Sequence, residues 1–319
     1  MENAHGATFA ATWAPVGRRA SWLLAALAAT WLIVPPAAAA QALMTWADLT
    51  RPPAPTASRR IAYGPAVNQA VELWLPDGPG PHPVVVMLHG GCWQASIAKL
   101  SIMDYIAEDL RRRGLAVWNI EYRGVDQAGG GYPGTFQDVA AAADALRQAA
   151  PTFHLRLDHV VAVGHSAGGH LALWLAARPR LPASSPLHAA DPLPIAAVVS
   201  LGGLPDLEAA RTLRDAGCGA AAVDRMTGAG AGRPGDVYAD TSPAALLPLG
   251  VPQLLVQGAL DGVSPPYVGA GYQAKARARG EAVRVIVIPD AGHVELIAPR
   301  SAAWAREVLE IQSLARARP

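Results

Sequence analysis

The chain has 319 residues, of which 51% are hydrophobic and 16% are charged, and its net charge is +1. This composition is too apolar for a disordered protein and is sufficient for one large α/β domain or two average domains. The positive and negative charges are balanced, and the sequence contains no basic block. This argues against a polyanion-binding protein, so we expect no nucleic-acid partner.

The first 42 residues follow the order of a secretory signal peptide. Arg18 and Arg19 precede an apolar run at 22–34, and small residues fill 37–42. A signal peptide needs an apolar core of roughly 7–15 residues, whereas a membrane-spanning helix needs about 20. We therefore predict a signal peptide at 1–42, a mature chain that starts near Gln41 or Leu43, and a periplasmic or secreted protein that meets the membrane only transiently. An uncleaved anchor is the alternative.

Residues 43–58 form a leader, rich in Pro, Ala, Ser and Thr after residue 51, that we expect to be extended. From 59 to 319, short β-type runs alternate with Ala- and Leu-rich helical stretches, which is typical of one α/β domain with a mostly parallel sheet. The eight predicted strands cover 61–63, 71–75, 84–88, 115–120, 158–163, 195–200, 252–256 and 283–288. The predicted helices cover 98–113, 135–149, 168–177, 266–279 and 301–315. Residues 205–247 break the alternation, and we expect a small cap there, between strands six and seven.

The chain contains two cysteines, Cys92 and Cys218. In an oxidising compartment the two can form a disulfide, but the sequence does not supply the Cα separation that a disulfide requires. A disulfide and two buried free thiols therefore both stay open.

The segment Gly164-His165-Ser166-Ala167-Gly168 fits the pattern G-x-S-x-G, in which a nucleophilic serine stands on a sharp turn. It follows the predicted strand 158–163 and opens the helix 168–177, which is the setting that such a turn requires. Glycines at both ends allow the turn without a Cβ clash. The alternative is a helix N-terminus capped by Ser166, but the pattern favours Ser166 as the nucleophile.

A second glycine-rich segment, HGGCW at 89–93, follows the predicted strand 84–88. A pair of glycines lets backbone amides approach the oxyanion of a tetrahedral intermediate. We assign the oxyanion hole to the amides of Gly91 and Ala167, with Gly90 or Cys92 as a third donor, and the alternative is an ordinary glycine turn. The substrate-pocket candidates are Cys92 and Trp93.

A serine hydroxyl needs a base that removes its proton and an acid that orients the base. His293 follows the last predicted strand and is the only histidine beyond residue 188. Asp261 follows the predicted strand 252–256 on a separate loop, so we prefer it as the acid. Asp290, which shares the loop of His293, is its nearest rival, and Asp206 and Asp240 are weaker candidates.

The other histidines near the motifs have positions that suit structural roles. His165 and His170 flank Ser166 where neither can serve as the base, so we expect packing or local hydrogen bonds, and we expect His89 to hold its own loop. The chain has no HExxH or CxxC motif, and no dinucleotide-binding fingerprint follows the first strand. We therefore expect no metal and no cofactor.

With these motifs the chain resembles the α/β-hydrolase superfamily over about residues 59–315. Four segments, HGGCW, EYR at 121–123, GHSAGGH and YADTSP at 238–243, are similar to the carboxylesterase and kynurenine-formamidase-like branch with an HGG-x-W loop. The resemblance implies an eight-stranded, mostly parallel sheet and a triad of Ser166, Asp261 and His293. It also implies hydrolysis of a carboxylic ester or an aryl formamide through an acyl-enzyme. Cys92 and Trp93 stand where lipases often carry a third glycine, which leaves the third oxyanion donor open.

Secretion suits an esterase better than a formamidase that acts on a cytosolic metabolite, so our first prediction is a carboxylesterase acting on a small ester. Arylformamidase or peptidase activity with the same triad is the alternative. An alternative from another functional class is a non-catalytic binding module on a hydrolase scaffold. Such modules usually lack a member of the triad, whereas all three are present in this chain.

Overall fold

The computed structural model describes residues 42–213 and 216–317. Nearly all of the predicted signal peptide lies outside these residues. Within the described part, no helix combines the length and the apolar character needed to cross a bilayer.

Eight strands form one sheet and confirm the predicted α/β fold. They are β1 (Arg59–Ala62), β2 (Ala70–Trp74), β3 (His82–Leu88), β4 (Ala116–Ile120), β5 (Leu155–His165), β6 (Ala197–Leu201), β7 (Gln253–Gly258) and β8 (Arg284–Ile288). Their order in the sheet is β1-β2-β4-β3-β5-β6-β7-β8. The β1–β2 and β2–β4 pairs are antiparallel, and the other pairs are parallel.

Helices cover the sheet and fill the predicted cap. They are α1 (Trp46–Thr50), α2 (Asp104–Arg112), α3 (Gly134–Phe153), α4 (Ala167–Ala177), α5 (Leu207–Arg211), α6 (Ala220–Thr227), α7 (Pro243–Leu246), α8 (Pro266–Ala278) and α9 (Ala302–Arg316). The segment between β6 and β7 carries α5, α6 and α7, as expected for a small cap.

The core lies on both faces of the sheet. All side chains from Val84 to Leu88 are fully buried, and alternate residues of a strand point to opposite faces. Accordingly, Val84, Val86 and Leu88 join one apolar cluster, together with residues of α3 and α4. Val85 and Met87 join a second cluster with residues of α2 and α9. Burial on both faces explains why the central strands are continuous apolar runs.

Three helical segments differ from the sequence prediction. A 3-10 turn at Leu100–Met103 precedes α2, so the α-helix predicted from residue 98 begins only at Asp104. Helix α3 continues through Pro151 to Phe153, where His154 in the left-handed conformation ends it. A proline so close to the end of a helix removes only one backbone bond, which limits its cost.

The third difference lies in the leader, which is not extended throughout 43–58. Residues 46–50 form α1, and Thr45 and Asp48 close its first turn as a capping box, in which each side chain accepts from the backbone amide of the other. Leu49 is 3% exposed and belongs to the same apolar cluster as Trp304 of α9. The leader is therefore packed on the domain at this point.

Candidate active site

Ser166 lies on the sharp turn between β5 and α4. Its φ is 55° and its ψ is −122°, a conformation that non-glycine residues rarely adopt. A Cβ added at Gly164 would lie 2.0 Å from the carbonyl oxygen of Gly168, and one added at Gly168 would lie 2.2 Å from that of Leu88. Only glycine therefore fits on either side of the serine, and the turn has the geometry that the sequence predicted.

Asp261 and His293 meet through a direct hydrogen bond. His293 Nδ1 lies 2.7 Å from Asp261 Oδ2, and the loops that carry the two residues follow β7 and β8. Because a carboxylate only accepts, Nδ1 carries the proton, and Nε2 is left as an acceptor. The structure thus joins the predicted acid to the predicted base.

Asp261 is held as an anion by its surroundings. Its side chain is buried, and Oδ1 accepts from the amides of Val263 at 2.7 Å and Ser264 at 2.8 Å. Burial alone would raise the pKa of Asp261, but the hydrogen bond and charge of His293 and these two amides outweigh it and lower the pKa. A charged Asp261 stabilises a protonated His293 during a reaction.

The Ser166 turn lies beside the Asp261–His293 pair. The ring of His165, which precedes Ser166, is 4.4 Å from the ring of His293 between centroids, and His165 Nε2 donates to the carbonyl oxygen of His293 at 3.0 Å. Among the hydrogen bonds of the described residues, none joins Ser166 to His293. Catalytic hydrogen bonds are often long without substrate and shorten when it binds.

The HGGCW segment passes against the serine turn. A Cβ added at Gly90 would lie 3.0 Å from Ser166 Cβ and 2.8 Å from His165 Nδ1, so this close approach needs a glycine. The amide of Gly91 makes no hydrogen bond in the described part of the chain. The amide of Ala167, in the first turn of α4, has no acceptor within its own helix. Both assigned oxyanion donors are therefore available to a ligand.

His89 holds this segment, as expected from the sequence. Its Nε2 lies 2.8 Å from Glu121 Oε1, its Nδ1 lies 2.7 Å from the oxygen of Gly90, and its ring stacks on Tyr122. Burial would raise the pKa of Glu121, but attraction to His89 and the amides of Leu100 and Tyr122 lower it. A buried hydrogen-bond network thus holds the start of the oxyanion loop.

A disulfide joins Cys92 of this loop to Cys218 of the cap, with a Cα separation of 5.1 Å. The amide of Gly217 also donates to the carbonyl oxygen of Val263, on the loop of Asp261, at 2.7 Å. The cap is therefore tied to the oxyanion loop and to the acid loop. Of the two states that the sequence left open for the cysteines, the structure therefore has the disulfide.

Trp93, the second pocket candidate, is fully buried against His170, with ring centroids 5.4 Å apart, so it supports the loop from inside.

His165, His170, Asp206 and Asp240 have structural contacts, whereas Asp290, the nearest rival of Asp261, is exposed and makes no hydrogen bond to His293 in the described part of the chain. Burial lowers the pKa of His165 to about 3 and that of His170 to about 4, so both are neutral at pH 7, and His170 Nε2 bonds the carbonyl oxygen of Thr241. Asp206 caps α5 and pairs with Lys275, and Asp240 pairs with Arg233. Neither aspartate bonds His293. Among the described residues, no group of three or more His, Cys, Asp or Glu side chains could hold a metal.

Sequence reasoning missed two residues beside His293. Trp46 of α1 places its ring centroid 6.3 Å from that of His293, and Glu295 accepts the amide of Gly292 at 3.0 Å. A tryptophan in a leader carries no sequence signal for an active site, because nothing local shows where the leader will pack.

Comparison with solved structures finds the same fold in several esterases. A truncated carbohydrate esterase from gut microbiota matches 81% of this chain and 95% of its own, at 19% identity and a TM-score of 0.66. An inhibited esterase B from Lactobacillus rhamnosis matches 80% of this chain and 84% of its own, at 20% identity and a TM-score of 0.67. The thermophilic esterase Est2 of the planctomycete Thermogutta terrifontis matches 82% of this chain and 92% of its own, at 19% identity and a TM-score of 0.63.

The sequence comparisons give a family. A search of the curated proteins finds no match to the chain. The BD-FAE family model matches residues 71–270, which include Ser166 and Asp261 and end before His293. Because this match covers more than half of the sequence, the chain belongs to the BD-FAE family.

Proposed function

We propose that the protein is a serine hydrolase that cleaves a carboxylic ester of a small substrate through an acyl-enzyme on Ser166. The observation that carries this proposal is the 2.7 Å hydrogen bond between Asp261 and His293 beside the Ser166 turn. The names of the structural neighbours, which are esterases, support the choice of ester over other acyl substrates.

The proposed reaction begins with attack of Ser166 Oγ on the acyl carbonyl. His293 Nε2 takes the serine proton, while Asp261 keeps Nδ1 protonated and stabilises the imidazolium that forms. The amides of Gly91 and Ala167 donate to the oxyanion of the tetrahedral intermediate. When this intermediate collapses, the ester C–O bond breaks, and the alcohol leaves with the proton from His293.

The second half returns the enzyme to its starting state. A water molecule gives its proton to His293 Nε2 and attacks the acyl carbon, with the same two amides holding the oxyanion. Collapse of the second intermediate breaks the bond to Ser166 Oγ, which takes the proton back. The products are the carboxylic acid and the free serine.

The test compares the wild-type chain from Gln41 with Ser166→Ala, and with Ser101→Ala as the matched control on an exposed serine. A fluorophosphonate probe should label Ser166, and turnover of p-nitrophenyl acetate should fall by about four to six orders of magnitude in Ser166→Ala alone. Full turnover by Ser166→Ala would refute the mechanism. A folded wild type that takes no label would favour the binding module.

The resemblance to the kynurenine-formamidase-like branch with an HGG-x-W loop is tested by comparing substrates on the same wild-type protein. The esterase proposal expects a higher kcat/KM for short p-nitrophenyl esters than for N-formylkynurenine or a peptide amide. The reverse order would make arylformamidase or peptidase activity the function, with the same triad.

We also propose that residues 1–42 are a signal peptide and that the mature protein is periplasmic or secreted. The disulfide between Cys92 and Cys218 supports this location, because disulfides persist in oxidising compartments. Expression of the full chain, followed by fractionation and N-terminal mass analysis, should find a product that starts near Gln41 or Leu43. Intact chain in the membrane fraction would contradict the proposal.

A further inference from the structure

The segment that precedes β1 places an aromatic side chain at the candidate active site. The ring centroid of Trp46 lies 6.0 Å from that of His165 and 6.3 Å from that of His293, and the Trp46 ring is nearly perpendicular to both, at 76° and 84°. Trp46 is nevertheless 44% exposed. Part of its indole surface therefore stays free beside the proposed base.

The position of Trp46 is fixed by contacts on both sides of it. The amide of Met44 donates to the carboxylate of Glu295, which also accepts the amide of Gly292, the residue before His293. A Cβ added at Gly292 would lie 3.2 Å from Leu43 Cδ1, so Leu43 packs on the same loop. After Trp46, Leu49 is buried in the core. Together these contacts hold the indole against His293 as part of the folded domain.

The side of the reaction that Trp46 faces follows from the role of His293. In the acylation step His293 gives its proton to the leaving oxygen, so the alcohol part of an ester passes close to this imidazole. The oxyanion loop at Gly90 approaches Ser166 itself, whereas the Trp46 ring faces the rings of His165 and His293. A half-exposed indole next to His293 is therefore placed to contact the alcohol part of the substrate.

We propose that Trp46 is a specificity-determining residue that contacts the leaving alcohol and favours esters whose alcohol carries an aromatic ring. This inference rests on the proposed esterase function. The exposed indole offers apolar surface and an aromatic partner, and an aromatic pair contributes beyond its buried area. Esters of small alkyl alcohols gain little from this contact.

Three esters separate the alcohol side from the acyl side. Ethyl acetate is the reference, benzyl acetate carries a ring on the alcohol, and ethyl phenylacetate carries a ring on the acyl group. We expect Trp46→Ala to lower the kcat/KM ratio of benzyl acetate to ethyl acetate by about three- to tenfold. The ratio of ethyl phenylacetate to ethyl acetate should stay unchanged. Trp46→Phe should keep most of the preference for benzyl acetate, and Leu309→Ala, which removes another exposed apolar side chain, should leave all ratios unchanged.

Several outcomes would overturn the proposal. An equal loss for all three esters would show that Trp46 only supports the position of His293. A larger loss for ethyl phenylacetate would place the indole on the acyl side, and unchanged ratios in active Trp46→Ala would remove the contact altogether. A wild type that hydrolyses no ester, or an active Ser166→Ala, would instead refute the proposed function and this assignment with it.

Discussion

The Cys92–Cys218 disulfide should stabilise the protein by several kcal/mol, and its removal tests this directly. The two cysteines are 126 residues apart, and closing a loop of that length in the unfolded chain corresponds to about 5 kcal/mol at 25 °C by the chain-entropy relation. Native disulfides of this kind typically contribute about 2–5 kcal/mol. We therefore expect the free energy of unfolding of the double variant Cys92→Ser/Cys218→Ser to be about 2–5 kcal/mol lower than that of the wild type.

The same variant should lose activity as well as stability. Cys92 and Trp93 are consecutive non-glycine residues with φ of 54° and 56°, and a left-handed conformation costs roughly 1–2 kcal/mol per residue. The disulfide and the burial of Trp93 hold them there, beside the assigned oxyanion donor Gly91. Without the disulfide we expect a lower kcat on p-nitrophenyl acetate, because the loop samples other conformations.

The assay is urea unfolding followed by tryptophan fluorescence, with and without dithiothreitol. The reductant should lower the midpoint of the wild type and leave that of the double variant unchanged, which controls for effects of the reagent. If the wild type is unfolded without reductant and shows two reactive thiols, the reasoning is refuted. A urea midpoint of the wild type that does not change on reduction would also refute it.

Three further predictions concern single side chains. Asp261→Asn should lower kcat by about four orders of magnitude without changing the far-ultraviolet circular dichroism, and near-normal turnover would remove Asp261 from the triad. Gly168→Ala places a Cβ 2.2 Å from the oxygen of Leu88 and should lower the free energy of unfolding in urea by about 3 kcal/mol or more. The control Gly271→Ala lies in open space on α8 and should raise the free energy of unfolding by about 0.5–1 kcal/mol. Equal urea midpoints for the two variants would contradict the clash. Burial and the charge of a neighbouring glutamate raise the pKa of Asp104 from 3.8 to about 8, so its contribution to stability is present below pH 3.8 and is lost as pH rises to about 8. Asp104→Asn should therefore raise the urea midpoint more at pH 8 than at pH 5, and an equal gain at both would refute the shift.

Local patterns were sufficient for the strands and for the serine turn. The run Val84–Leu88 predicts a strand because it is short and rich in β-branched residues, as expected of a strand that is buried on both faces. The glycines of the Ser166 turn indicate a close approach of backbone segments that leaves no room for a Cβ. Both signals lie within a few residues of the feature that they predict.

Features that depend on distant packing could not be read in the same way. The disulfide needs the relative position of the oxyanion loop and the cap, which no spacing between Cys92 and Cys218 contains. Helix α1 has five residues, too few for a helical period to show, so the place of Trp46 beside His293 was not foreseen. The end of α3 was misjudged because tertiary packing tolerates Pro151 in its last turn.

The order of strands in the sheet has a consequence for how activity emerges as the chain folds. The serine follows β5 in the middle of the sheet, whereas the proposed acid and base follow β7 and β8 at one edge. Parallel strands so far apart in sequence pair late, because the loops between them must close first. A chain that ends before β8 would already hold its nucleophile and its oxyanion loop and would still lack the base. The proposed triad is therefore completed by the last strand of the sheet, and a partly synthesised chain lacks the proposed base.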